Sequence, residues 1–149
     1  MIETVESRNL NEVLPLIREY QEFYQVADIS DSRNKEFFSQ FSESSDLGCL
    51  FLYRQHNKAV AFATVATVYF SYASTIATKV AVLNDLYTKP NERRNNIGKK
   101  LIEHCRLFAA KKGAARLQWV TALDNKPAQK LYESLPTKKS TWHFYTYNI

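Results

Sequence analysis

Three consecutive segments rich in β-branched and aromatic residues, GCLFLYR (48–54), AVAFATVATVYF (59–70) and STIATKVAVLNDLYT (74–88), are separated by only a few residues each. Connections that short cannot carry a crossover, so neighbouring strands must run antiparallel. Residues 48–88 are therefore expected to form an antiparallel meander, with QHNK (55–58) as its first turn. On either side the period changes. Leu10, Val13, Leu14, Ile17, Tyr20 and Tyr24 recur at helical spacing, and Pro15 is placed near the helix start, where a proline is best tolerated. DSRNKEFFSQF (31–41) offers Asp31 as an N-cap and Phe37, Phe38 and Phe41 for a short second helix. Past the meander, Ile97, Leu101, Cys105 and Phe108 share one face of a helix over 97–112, which Gly113 ends. ARLQWVTAL (115–123) reads as a strand, KPAQKLYESL (126–135) as a helix with Pro127 near N1, and STWHFYTYNI (140–149) as a final strand. The order ααβββαβαβ predicts an α+β (mixed α/β) fold with a central sheet covered by helices.

The 149 residues fit one domain, 1–149, that buries a core without staples. With 45% hydrophobic and 23% charged residues the composition is that of an ordinary soluble globule. No apolar run approaches the ~18 residues of a membrane span, and MIETVESRNL lacks a signal-peptide pattern, so no membrane partner is expected. Cys49 and Cys105 stand far apart and read as buried small hydrophobes, which suits a cytoplasmic protein. His56, His104 and His143 have no metal-ligand spacing, and no metal is expected. The net charge of +5 favours an anionic partner without separating nucleic acid from a phosphorylated cofactor. No recognition-helix or stacking motif accompanies the charge, so nucleic acid is not expected either.

The anion is addressed by NDLYTKPNERRNNIGKKL, residues 84–101. The segment runs from a strand through Pro90 and a polar cluster into a helix. A helix N-terminus presents unpaired N–H groups and a partial positive charge, as a pyrophosphate requires. Gly98 supplies a small residue where backbone must come close to phosphate.

This segment resembles motif A of the GNAT acyltransferases, Arg/Gln-x-x-Gly-x-Gly/Ala. Arg93 fills the first place, Asn96 stands where the first glycine belongs, and Gly98 fills the last. Asparagine visits positive φ more readily than other non-glycine residues. DNKPAQKLYESL resembles the family's second signature, Asn-x-x-Ala-x-x-Leu-Tyr, through Asn125, Ala128, Leu131 and Tyr132. The resemblance implies a GNAT fold: a central, mostly antiparallel twisted sheet flanked by helices, with strands 79–88 and 115–122 splayed to admit acetyl-CoA as co-substrate. It assigns the backbone of Leu86, Tyr87 and Thr88 to the pantetheine and acetyl arm. Arg93 and the main chain of Arg94, Asn95, Asn96, Ile97, Gly98 and Lys99 are assigned to the pyrophosphate. Asn125 touches the pantetheine side and Tyr132 protonates the departing thiolate. Lys89 and Lys100 join the arginines near the 3′-phosphate.

An amine with a pKa of about 10.4 is neutral in only about one molecule in a thousand at pH 7, so a base or water relay is needed. Asp85 is the nearest acidic candidate, and Glu22 a second. LNDLYT and TWHFYTY are similar to segments of the diamine and polyamine acetyltransferases, the spermidine/spermine and thialysine enzymes. That likeness puts Asn84, Asp85 and Trp142 on the acceptor side, where Asn84 replaces a glutamate. Tyr20, Glu22 and Tyr24 are candidates for the other wall, which would hold amines by charge and cation–π contact. The implied substrate is a small-molecule primary amine, with a peptide lysine left open. Tyr132 and Asn125 argue for an enzyme over an acyl-CoA-binding module without catalysis. The aromatic final strand is a liability as an edge, and a homodimer covering it is expected.

Overall fold

A computed structural model describes the backbone of residues 1–55 and 62–149, and the side chains of all of these except 62–67. Five strands lie in chain order in one sheet: β1 (Ile2–Thr4), β2 (Gly48–Arg54), β3 (Phe62–Ala73), β4 (Thr78–Thr88) and β5 (Leu117–Gln118). β1 to β4 pair antiparallel and β4 pairs with β5 in parallel. The helices are α1 (Leu10–Phe23), α2 (Asp31–Phe38), α3 (Ile97–Lys111) and α4 (Lys126–Glu133). A parallel neighbour needs a crossover, and α3 supplies it. The predicted meander is observed; from His56 onward its first turn, and residues 59–61 of its second strand, lie outside the described residues.

The apolar run of β2 is explained by burial on both faces. Cys49 and Phe51 point into a core with Val68, Ala81 and Leu83 of the sheet and Ile97, Leu101, Cys105 and Phe108 of α3. Leu50 and Leu52 point the other way, into Leu10, Val13, Leu16 and Ile17 of α1 and Phe38 of α2. Each such Leu, Ile or Phe stabilises the fold by about 1.5–3 kcal/mol through area removed from water. Both cysteines are free and buried, and burial pushes the Cys49 thiol up to about 12, which leaves it inert at neutral pH. At the sheet edge Arg54 is clamped by two carboxylates, with Nε 2.7 Å from Glu3 Oε1 and Nη1 3.2 Å from Glu12 Oε2.

Several local expectations are corrected. β1 pairs Ile2 with Tyr53 and was not anticipated, because three residues are too few to show a period. Pro15 is the sixth residue of α1, inside the helix rather than in its first turn. Ser30, not Asp31, caps α2, its side chain accepting from Arg33 N. Residues 74–76 form a 3-10 turn closed by Ala77 at φ 48°, so β4 starts at Thr78. Of the strand expected over 115–123, Leu117 and Gln118 form β5, and Ala115 and Arg116 hydrogen-bond to Lys79 and Ala81 of β4, while 119–123 is not part of a strand. The final strand does not form: residues 136–149 are exposed throughout and join no ladder. A strand pattern sets which side chains face together, but a strand exists only where another strand meets its N–H and C=O groups.

Candidate active site

The site begins at an irregularity in β4. Thr67 is opposite Asp85 and Val68 is opposite Leu83, which leaves Asn84 as one extra residue, a β-bulge. An extra residue shifts the alternation of everything beyond it. Leu83 therefore packs on the α3 side and Leu86, three residues on, packs against that same core. Asp85 and Tyr87 face α1 instead. The Tyr87 hydroxyl donates to Glu19 Oε2 at 3.3 Å, and its ring meets Tyr20 edge-on at 6.0 Å. Without the bulge, Asp85 would point at the α3 core. The sequence signal was the Asn84-Asp85 pair interrupting an apolar strand, since both residue types are depleted in strands.

Beyond β4 the chain turns through Pro90–Glu92 into α3. Arg93 Nε donates to Thr88 O at 3.0 Å, which fixes the start of the turn. Arg94 and Asn96 both adopt left-handed backbone, at φ 69° and φ 58°. The expectation for Asn96 holds, and Arg94 adds a second such residue. The first donor inside the helix is Lys100, to Asn96 O at 3.0 Å, and Asn96 makes no side-chain cap. The N–H groups of residues 94–99 have no partner among the described residues. A row of amides without partners at a helix start is suited to hold an anion by the charge of the backbone alone.

Gly98 has a packing reason besides the one its motif suggests. A Cβ there would stand 3.0 Å from Leu131 Cδ2 and 3.9 Å from Leu86 Cδ2. Its missing side chain lets α4 close onto the first turn of α3. Asn125 caps α4, Oδ1 accepting from Ala128 N at 3.4 Å. Next to Leu131, Tyr132 lies edge-on to Trp119 at 5.4 Å. Burial, with the neighbouring Tyr24 phenol, raises the Tyr132 pKa above its ordinary value of 10.0, so the hydroxyl holds its proton through the neutral range. Between these elements the sheet opens. The β4–β5 ladder ends at Val82–Gln118, so among the described residues β4 from Asn84 to Thr88 has β3 as its one strand neighbour.

On the α1 side of β4 a cavity of about 620 Å³ is lined by Tyr20, Arg33, Glu36, Tyr69, Asn84 and Asp85, among others. The Tyr20 phenol hydrogen-bonds Asp85, and burial together with that carboxylate pushes its pKa far up. Asn84 Nδ2 donates to Asp85 Oδ2 at 3.3 Å. Gln21 and Asn34 exchange hydrogen bonds of 2.8 and 2.7 Å, tying α1 to α2 at the wall.

A family model described as Acetyltransferase (GNAT) family matches residues 13–135. The chain belongs to the GNAT acetyltransferases. It is 28% identical over 156 residues to the thialysine N-ε-acetyltransferase of Bos taurus, covering 99% of this chain and 91% of that protein. To the uncharacterized N-acetyltransferase YhfO of Bacillus subtilis (strain 168) it is 26% identical over 121 residues, 81% of this chain and 78% of that one. The crystal structure of a probable acetyltransferase superposes with a TM-score of 0.85 at 25% identity, covering 100% and 97% of the two chains.

This GNAT enzyme uses acetyl-CoA as co-substrate. Of the acceptor residues expected from sequence, Tyr20, Asn84 and Asp85 come together in the cavity. Tyr24 meets Tyr20 edge-on at 4.9 Å. Glu22 is exposed, pairs with Arg18 at 3.4 Å and does not line the cavity. Trp142 lies on the exposed tail, 86% accessible, with Nε1 donating to Ser140 Oγ. Near the amide row, Lys89 pairs with Glu19 at 3.4 Å, whereas Arg94 and Lys99 are exposed and have no carboxylate partner among the described residues. Arg33, Glu36 and Tyr69 line the cavity and were not anticipated. No group of three or more His, Cys, Asp or Glu among the described residues could hold a metal ion. No described helix is long and apolar enough to cross a membrane.

Proposed function

We propose that the enzyme acetylates a primary amine of a small molecule, a diamine, polyamine or lysine-like amino acid. The observation that carries this is Asp85, turned by the bulge at Asn84 into a cavity beside the strand that opens toward the cofactor cleft. The free amides of residues 94–99 take the pyrophosphate, and Arg94 and Lys99 add charge to the anion. Leu86, Tyr87 and Thr88 present backbone to the pantetheine and acetyl arm, with Asn125 across the cleft. Asp85 attracts the ammonium and takes one proton from it through a bound water, which frees the nitrogen lone pair. The nitrogen forms a bond to the thioester carbonyl carbon, the C–S bond breaks, Tyr132 gives its proton to the sulfur, and the second proton the nitrogen sheds returns to the Tyr132 phenolate. Products are an N-acetyl amide and CoA thiol.

The same cavity sets the acceptor. Asp85 and Glu36 provide two anionic groups for cations, and Arg33 provides one cation for a carboxylate. Opposite signs in one cavity favour a zwitterionic, lysine-like amino acid over a plain diamine. Free, buried Cys49 and Cys105 suit a reducing cytoplasm, the compartment we assign. The test is thiol release from acetyl-CoA with thialysine, lysine, putrescine, spermidine, an aminoglycoside and a lysine peptide compared side by side. The highest kcat/KM is expected for thialysine or lysine. A peptide or aminoglycoside turned over fastest would overturn the assignment.

A further inference from the structure

One carboxylate of α1 grips two residues at the end of β4. Glu19 Oε2 accepts from the Tyr87 hydroxyl at 3.3 Å, and Glu19 Oε1 pairs with Lys89 Nζ at 3.4 Å. Tyr87 and Lys89 stand two apart, with Thr88 between them, so their side chains leave the chain on the same side. A single carboxylate on a rigid helix cannot follow two side chains in different directions. The peptide groups from 87 to 89 are therefore tied to one position on α1. Tyr87 is 8% exposed, and burial together with the Glu19 carboxylate raises its pKa above 10.0, so the phenol keeps the proton it donates.

Arg93 closes the same stretch from the turn. Its Nε donates to Thr88 O, and its guanidinium carbon lies 5.9 Å from the Phe23 ring and 6.0 Å from the Tyr87 ring. Glu19 and Phe23 are four apart on α1 and share a face, so one face of that helix meets the strand end and the turn together. The grip sits where the sheet is least supported. Past Leu83 the strand has a ladder on the β3 side alone among the described residues, ending in Val65–Tyr87 and Thr64–Thr88. Local opening costs least where few contacts cross. Glu19 does not line the cavity, so any part it plays in the reaction passes through the strand.

We propose that Glu19 is a positioning residue for acyl transfer: by gripping Tyr87 and Lys89 it fixes the backbone of residues 86–88 where that backbone receives the thioester. The inference rests on the reading above, in which those residues take the acetyl arm. Misplacing a reacting group by about 1 Å costs about 100-fold in rate, so the effect falls on turnover. Binding of CoA is spared, because the pyrophosphate is held by a different set of amides, 94–99. Binding of the amine is spared too, because Glu19 stands outside its cavity.

The test uses Glu19→Ala and Glu19→Gln in the full chain. The Glu19 side chain is 38% exposed on a helix and both replacements favour helix, so both variants are expected to fold. Glutamine keeps an oxygen for Tyr87 but loses the charge that pairs with Lys89. Infrared difference spectroscopy of bound acetyl-CoA, without amine, reads the thioester carbonyl, whose stretching frequency falls when a backbone N–H donates to it. Wild type should show the lowered frequency, and Glu19→Ala should return it toward the value in water. With thialysine, or the fastest amine of the acceptor panel, kcat should fall about tenfold or more in Glu19→Ala and about threefold in Glu19→Gln. KM for the amine and affinity for CoA should hold within about threefold, and Tm within about 3 °C. Tyr87→Phe should cost nothing further in the Glu19→Ala background, because its partner is already gone. An unshifted frequency in wild type would mean that the strand does not hold the arm, which overturns the reading of 86–88 and this inference with it. A shift that persists in Glu19→Ala, or a kcat within about twofold of wild type, would overturn the role of Glu19 alone. So would a loss of turnover that tracks a fall in Tm and CoA affinity, since that carboxylate would only hold the fold.

Discussion

Tyr132→Phe removes one oxygen from the cleft and little else. The ring that meets Trp119 edge-on at 5.4 Å is retained, and the hydroxyl makes no hydrogen bond with the described residues. Stability should change by no more than about 0.5 kcal/mol, a shift in Tm of about 2 °C or less. Affinity for CoA should also hold within about threefold, because the anion is gripped by backbone amides on α3 and not by α4. Turnover behaves differently. Without a donor the sulfur leaves as an anion, and the loss of general acid catalysis is about 10²–10⁴-fold. At 1.36 kcal/mol per tenfold this is about 2.7–5.4 kcal/mol of transition-state stabilisation. The raised pKa of the phenol sets the pH behaviour. Wild-type turnover should fall only above the ordinary value of 10.0, as the hydroxyl loses its proton, and the variant should lack that alkaline limb. The assay is thiol release at saturating acetyl-CoA, paired with calorimetric CoA binding and thermal unfolding. A variant whose kcat stays within twofold of wild type, with Tm and CoA affinity unchanged, would refute the role of Tyr132.

Two further outcomes test the turn and the sheet edge. Asn96 sits at φ 58°, ψ 15°, where alanine is disfavoured by about 1–2 kcal/mol. Asn96→Ala should weaken CoA about fivefold or more in calorimetry and Asn96→Gly should leave it within twofold, so equal affinities for all three would show that this backbone conformation is not what holds the anion. The Glu3 carboxyl is kept below its ordinary 4.5 by its hydrogen bond from Arg54. A carboxylate with a lowered folded pKa adds stability above the unfolded value and loses it as pH falls through the folded one. Arg54→Leu should therefore lose about 1–3 kcal/mol at pH 7, a difference that narrows in urea unfolding as pH falls below the ordinary carboxylate range, and a pH-independent difference would remove the ion cluster as its cause.

The parts of the fold legible in the sequence are those where period and partner come from the same stretch of chain. The β2–β3–β4 meander and α3 are of this kind, since short connections and an apolar face leave little choice. Asn125, Leu131 and Tyr132 are singled out by a signature, and the left-handed backbone of Asn96 was legible through its tolerance of positive φ. The bulge was not read, although it decides which face Asp85 takes, because an extra residue appears only against a partner strand. Arg33 and Glu36 were missed for a related reason. They sit on a short helix of low apolar content, and only the packing of α2 on α1 brings them to the cavity. The tail failed in the opposite direction: its pattern is strong, but among the described residues no strand meets its backbone groups.

The regular parts of this sheet cannot bind anything through their backbone, because their N–H and C=O groups already satisfy one another. Binding capacity appears where that pairing stops, and in this protein it stops at three adjacent places. The ladder between β4 and β5 ends after Val82, the β3–β4 ladder skips Asn84, and the helix ladder of α3 starts only at Lys100. On the proposed function the first opens a gap for an extended arm, the second turns a carboxylate toward an amine, and the third leaves amides for an anion. One contact sets the distance between the last of these and the proton donor. Leu131 rests where Gly98 has no side chain, and Tyr132 is the next residue along α4. Any residue larger than glycine at 98 would press on that contact, so the two signatures, 27 residues apart at their nearest, are one packing unit, and on the proposed function that unit sets the span from diphosphate to sulfur.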